Sequence, residues 1–189
     1  MDDLKEEFKI YDMAQNTPEW FKVRAGKITG SKWEALDVNG KGLGGLGTGA
    51  ITTMYEMIGE ILTGEPAFSF SNKATEWGHT YEPEAISYHE AQTFKKIQRV
   101  GFVQLNKWVG CSPDGLEGDD GMIQVKCLPK EHVRILCEKQ PDKSHVKQIQ
   151  FEMYAAKREY STLVYYHPLH PEKTRYKACL LYTSDAADE

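Results

Sequence analysis

A mixed α/β domain, a β-sheet with helices packed on it, is the fold class this sequence predicts, and three observations predict it. Before residue 94 apolar residues recur mostly at helical spacing. Between 101 and 127 they come in short runs broken by Gly and acidic turn formers. After 143 a helical stripe leads into the β-branched and aromatic run STLVYYH at 161–167. The 189 residues, 40% hydrophobic and 27% charged, suit one globular domain with a sizeable core. No segment repeats.

The elements follow in order. Thr17 is placed as an N-cap, with Pro18 at the first helical position and Glu19 in the first turn, so a short helix runs to a stop at Gly26. A second short helix is expected with Ser31 as its cap, which would bring Ser31 near Arg24. The glycine-rich stretch 39–49 lacks the Gly-Lys-Ser/Thr of a phosphate-binding loop, since Gly42 follows Lys41, and reads as a mobile loop. Ile51, Met54, Tyr55, Ile58, Ile61 and Leu62 then mark an amphipathic helix that ends at Gly64, and that stripe is expected in the core. Another helix starts near Asn72 or Thr75 and carries Trp77, Tyr81, Glu82, Ala85, Ile86 and His89, with Pro83 expected to kink or restart it. Strands are expected at 101–105, 108–111 and 123–127, a short helix at 131–138, a longer one at 143–158, and a buried strand at 161–167 with a partner at 175–178.

A net charge of -5 argues against a generally basic nucleic-acid binder but leaves room for a local positive track at Lys22, Arg24, Lys27 and Lys32. No run of about 18 apolar residues exists and the first residues carry no apolar signal region, so a cytosolic protein is expected. Cys111, Cys127, Cys137 and Cys179 form no CxxC pair or zinc spacing and read as reduced thiols. Residues 179–189 resemble the translation of a transposase sequencing adapter, so the native domain is expected to span 1–178 and to continue beyond it.

The chemistry concentrates at Cys111-Ser112-Pro113-Asp114-Gly115-Leu116 and Met122-Ile123-Gln124-Val125-Lys126-Cys127. Acidic and Gly residues from Glu117 to Gly121 predict a turn between two antiparallel strands. On the second strand Ile123, Val125 and Cys127 would face the core while Gln124 and Lys126 share the other face. A carboxylate beside a lysine suits a metal site with a proton carrier. On their own, an acid on a helix and a lysine on a hairpin are more often solvated than functional.

Joined to Glu82, this hairpin resembles the PD-(D/E)xK nuclease core, and more specifically the YqaJ/lambda-exonuclease type of viral recombinase. The resemblance rests on Thr17 to Arg24, Gly26 to Ser31, Leu62-Thr63-Gly64, Trp77 to Glu82, Cys111 to Leu116 and Val125-Lys126-Cys127, all in the family's order. Gln150 to Tyr154 also resembles the Q-xxx-Y helix of RecB-like nucleases. The likeness covers about Gln15 to His167. It implies a restriction-endonuclease-like core with a mixed central sheet flanked by helices. It implies a metal-dependent exonuclease that degrades one strand of double-stranded DNA from its 5′ end and leaves a 3′ overhang. It further implies Mg²⁺ or Mn²⁺ held by Glu82, Asp114, Gln124 and the Val125 carbonyl, with Lys126 positioning or deprotonating water. Arg24, Ser31 and Gln150 would lie near a terminal 5′-phosphate, with Tyr154 in support. A homotrimeric ring, an annealing protein as partner and a phage-derived role in the bacterial cytoplasm belong to the same implication. The departure is Gln124, where the family pattern has Glu. Either its one carbonyl oxygen still holds metal, or the chain binds DNA without cutting it. An endonuclease of the same fold is a further alternative. An iron–sulfur nuclease would need four clustered cysteines, and these four are not so placed.

Overall fold

The computed structural model describes residues 8–66 and 73–183. Two sheets are found rather than one. Strands β1 (Lys9–Tyr11), β3 (Phe102–Gln104) and β4 (Gly110–Cys111) form a small antiparallel sheet, and β2 (Ile97–Gln98), β5 (Gly115–Glu117), β6 (Gly121–Lys126), β7 (Tyr160–Tyr166) and β8 (Tyr176–Tyr182) form the main one in the order β2-β5-β6-β7-β8. The main sheet is mixed: β6 pairs with β7 in parallel, and the other neighbours are antiparallel. The helices are α1 (Pro18–Arg24), α2 (Gly30–Leu36), α3 (Thr48–Thr63), α4 (Lys73–Thr93), α5 (Pro129–Glu138), α6 (Lys143–Ala156) and the short α7 (Glu172–Arg175).

Alternation on β6 and β7 divides the core into two layers. Met122, Leu163 and Tyr165 pack with Ile149 and Met153 of α6. Ile123, Val125, Cys127, Val164 and Tyr166 pack with Ala85 and Ile86 of α4. The apolar set on β6 is therefore buried as its period predicts, and its other face is covered too, by α6. Trp77 pins α4 to the end of β6 by donating Nε1–H to the Cys127 carbonyl at 2.9 Å.

Thr17 caps α1 by accepting the Trp20 N–H, with Pro18 at the first turn. Gly64 ends α3 in the left-handed region that glycine tolerates, at φ 70°. Other expectations need correction. Thr29, not Ser31, occupies the N-cap position of α2, and Ser31 is exposed in its first turn. Helix α4 continues through Pro83; because proline has no N–H, the His79 carbonyl loses its helical partner there. The loop 39–49 is closed by backbone hydrogen bonds from Gly40 N to Gly45 O, Gly42 N to Leu46 O and Gly47 N to Val38 O. The α3 stripe is not core: Met54, Tyr55, Ile58 and Ile61 are exposed, and Leu62 is 80% exposed. Glu117, read as a turn former, is a buried residue of β5 that accepts hydrogen bonds from Lys95 and Tyr160 and meets His89. Of the predicted partner strand at 175–178, Tyr176 to Ala178 open β8, which continues through Cys179 to Tyr182, while Arg175 ends α7. Among the described residues no helix is long and apolar enough to cross a membrane.

Candidate active site

The segment Ser112-Pro113-Asp114 joins β4 to β5, and side chains ahead of it clamp it. Gln15 donates to the carbonyls of Val100 and Pro113, at 3.1 and 3.0 Å. Trp20 donates its indole N–H to the Gly101 carbonyl and the Ser112 hydroxyl. Arg24 donates to Ser112 Oγ at 2.6 Å and lies over the Trp20 ring, 4.1 Å from its centroid. This fixes the carboxylate of Asp114, which is 7% exposed and accepts the Val125 N–H on Oδ2 at 2.6 Å. In an extended strand the N–H and C=O of one residue leave on the same edge, so the Val125 carbonyl also faces this side.

Beside Asp114 opens a cleft of about 370 Å³ lined by Gly78, His79 and Glu82 of α4, by Asp114, by Gln124, Val125 and Lys126 of β6, and by Glu131 of α5. The fold thus brings Glu82, Asp114, Gln124, Val125 and Lys126 together. Burial pushes the Asp114 carboxyl well above the usual carboxylate range, and the charge of Glu82 adds to this; the Val125 N–H and Lys126 oppose it. Two carboxylates facing one cleft with too little compensating charge make a site that favours a cation. Glu82 is meanwhile paired with Arg99 at 2.5 Å, a residue sequence reasoning missed.

Gln124 is 6% exposed, and its Oε1 has no hydrogen-bond partner among the described residues. A buried carboxamide oxygen without a donor costs about 1–3 kcal/mol. A hard divalent cation would satisfy it. The donors, two carboxylates, this carboxamide oxygen and a backbone carbonyl, are hard oxygens of the kind that Mg²⁺ and Mn²⁺ take. Among the described residues no three His, Cys, Asp or Glu side chains group as a metal site.

The remaining expected residues sit elsewhere. Ser31 hydrogen-bonds with Thr29 at 3.3 Å, and the Arg24 guanidinium bonds Ser112 instead. Burial lowers the Arg24 pKa to about 10, which leaves it charged at neutral pH. Gln150 donates to the Tyr182 carbonyl and, with the 65% exposed Tyr154, lines an apolar groove with Ile28, Trp33 and Val109. Neither lines the cleft. The helix α6 presents Gln148 instead: its Oε1 accepts from Lys126 Nζ at 3.4 Å, and its Nε2 donates to Glu152 at 2.8 Å. Both pairs are four apart, so spacing alone did not choose between them. Burial of Ile149 and Met153 sets the rotation of α6 that turns Gln148 inward.

The sequence model of the YqaJ-like viral recombinase domain matches residues 19–159, a stretch that contains every residue of this cleft. The chain belongs to the YqaJ-like viral recombinase family. Among solved structures, the YqaJ-like chain resembles an alkaline exonuclease, LHK-Exo from Laribacter hongkongensis, with a TM-score of 0.80 and 28% identity over 90% of this chain and 84% of that one. LHK-Exo in complex with dAMP gives a TM-score of 0.79 and 29% identity at the same coverage. A phage-related exonuclease from Haemophilus somnus 129PT shares the fold, with a TM-score of 0.64 and 16% identity over 82% of this chain and 84% of that one. No curated protein matches the YqaJ-like chain in sequence. The mixed α/β architecture predicted above is that of the alkaline exonucleases.

Proposed function

We propose that this chain is a metal-dependent 5′-to-3′ exonuclease of double-stranded DNA that serves phage-type recombination and leaves a 3′ single-stranded overhang. The observation that carries the reading is the cleft that joins Glu82, Asp114, Gln124 and Lys126 within a YqaJ-like domain. The alkaline exonuclease neighbours, one of them bound to dAMP, support DNA as the substrate.

Phosphodiester hydrolysis needs an oriented water, neutralisation of growing phosphate charge and a stabilised leaving oxygen. Bound Mg²⁺ or Mn²⁺ would supply the Lewis acidity for this. Glu82, Asp114, Gln124 Oε1 and the Val125 carbonyl would hold it. Asp114 stays oriented by the Val125 N–H. The ammonium of Lys126, anchored on Gln148, is placed to orient water and to neutralise phosphate charge. For the terminal 5′-phosphate we propose Arg24 with Ser31 and Gln150. A guanidinium already stacked on Trp20 loses little freedom when it binds an anion.

A homotrimeric ring and an annealing partner complete the proposal, and the exposed apolar face of α3 supports a protein contact there. Phage or prophage origin would put this work in the bacterial cytoplasm. The second reading, a binding-only member, draws on the neutral Gln124. One digestion separates them: linear duplexes with 5′-phosphate or 5′-hydroxyl ends beside closed circular DNA, over Mg²⁺ and Mn²⁺ titrations. Release of nucleotides from linear DNA alone, faster with 5′-phosphate, is expected. Cutting of the circle would indicate an endonuclease, and DNA binding without cleavage at any metal concentration would indicate the binding-only protein.

A further inference from the structure

Glu152 lies on α6, is 3% exposed and plays no part in the roles proposed above. Its Oε1 accepts the Gln148 N–H at 2.8 Å, while its Oε2 has no hydrogen-bond partner among the described residues. The opposite end of the same amide meets Lys126, since Gln148 Oε1 accepts from Lys126 Nζ. A terminal amide can turn over and exchange its oxygen for its NH₂, and the turned form would present two N–H donors to an ammonium. An ionised carboxylate only accepts, so Glu152 in its ionised form permits one orientation.

The seat for this carboxylate is built. A Cβ on Gly30, the first residue of α2, would come within 2.3 Å of Glu152 Oε1. Glycine there leaves room for the oxygen that Gln148 uses. Burial favours the protonated form of Glu152, and the Gln148 N–H, Lys126 of β6 and Arg24 of α1 oppose it in favour of the carboxylate. A carboxylate so deeply buried disfavours folding unless it is well paired, and Glu152 is paired through one oxygen only.

We infer that Glu152 is a positioning residue for Lys126: through Gln148 it fixes the amide so that a carbonyl oxygen faces the lysine ammonium. The inference rests on the nuclease reading for its consequence, and its geometry can be tested without cleavage. Glu152→Met removes the acceptor at similar volume, Glu152→Gln keeps one carbonyl oxygen, and Gly30→Ala keeps the charge but displaces it. Loss of an outer residue that orients a reacting one typically costs about 10- to 100-fold in activity. Single-turnover cleavage of a linear duplex at saturating DNA should fall by about that much in Glu152→Met and Gly30→Ala. It should be partly restored in Glu152→Gln, with DNA affinity unchanged. In Gln148→Ala, adding Glu152→Met should cost nothing further.

In the metal-free protein, the Gln148 side-chain NH₂ resonances should shift in Glu152→Met and return toward their original positions in Glu152→Gln. Unchanged resonances would overturn the inference whether or not the protein cleaves DNA. So would additive losses in the double variant, or a loss of activity that only follows a loss of folded protein. Absence of cleavage by the unaltered protein, with the resonance shifts present, would count against the nuclease reading and leave the amide geometry standing.

Discussion

Burial of Glu152 should make the stability of the fold depend on pH. Burial raises its pKa to about 7, against the hydrogen bond from Gln148 and the charges of Lys126 and Arg24, which lower it. The charged groups that face it are Arg24 from α1 and Lys126 from β6, with Asp114 and the buried Cys111 thiol at the end of β4 beyond them. A carboxyl whose folded pKa lies above its ordinary value of 4.5 holds a proton in the folded state that the unfolded chain has released. Its contribution to stability therefore declines as pH rises through that interval. Between pH 5 and pH 8 the decline should be about 2–3 kcal/mol. Glu152→Gln removes the ionisation and keeps the shape, so its stability relative to the unaltered protein should rise by about that amount across the same range. The assay is urea unfolding of both proteins at half-unit pH steps. The comparison of slopes cancels any constant change in hydrogen bonding. Parallel pH profiles for the two proteins would refute the reasoning. A variant that is more stable at pH 8 and slower in cleavage would show that the buried carboxylate is kept at the expense of stability.

Three further outcomes are expected. Gln124→Glu should retain or increase Mg²⁺-dependent cleavage, since it adds a negative charge at an oxygen that now has no partner; a metal titration of cleavage rate checks this. Arg24→Lys should reduce the preference for 5′-phosphorylated over 5′-hydroxyl duplexes by about tenfold, because lysine lacks the planar fork stacked on Trp20; digestion rates on the two ends measure it. Although burial opposes it, hydrogen bonds from Lys95, Tyr160 and His89 hold the Glu117 carboxyl below its usual range, so it stabilises the fold above pH 4.5 and that contribution is lost as pH falls. Glu117→Gln should leave these partners poorly matched, cost on the order of 3 kcal/mol near pH 7 and flatten acid unfolding below pH 5, as followed by circular dichroism.

Features that depend on neighbours in sequence could be read from it. The Thr17 cap with Pro18, the stop at Gly64, the alternation on β6 and the stripe Ile149 and Met153 each rest on local chemistry. Glu82, Asp114, Gln124 and Lys126 became recognisable as a group through their order, and the fold does bring them into one cleft. What was misread depends on partners far along the chain. Glu117 sits among Gly and Asp residues and resembles a turn, until His89, Lys95 and Tyr160 arrive from α4, the segment after it and β7. The stripe on α3 has correct helical spacing, but spacing does not reveal whether another element covers it. Gln150 with Tyr154 satisfies the same spacing as Gln148 with Glu152, and only the seating of α6 decides which pair faces Lys126. Strands β1 and β2 are too short to carry a periodic signal.

The parallel pairing of β6 with β7 also bears on when the cleft can exist. Gln124 and Lys126 lie on β6 opposite Leu163 and Tyr165 of β7, and α5 and α6 intervene along the chain. Such a pairing must close a long crossover before its contacts form, which makes it slow compared with the local β5–β6 hairpin. The hairpin can bring Asp114 beside β6 early, but Gln148 reaches Lys126 only after the crossover has docked. Refolding should therefore pass through a stage with the hairpin formed and the lysine unanchored. Cleavage competence should appear with the last slow phase and not with the first gain of secondary structure. A chain emerging from the ribosome would then stay harmless to DNA until its final strands are in place.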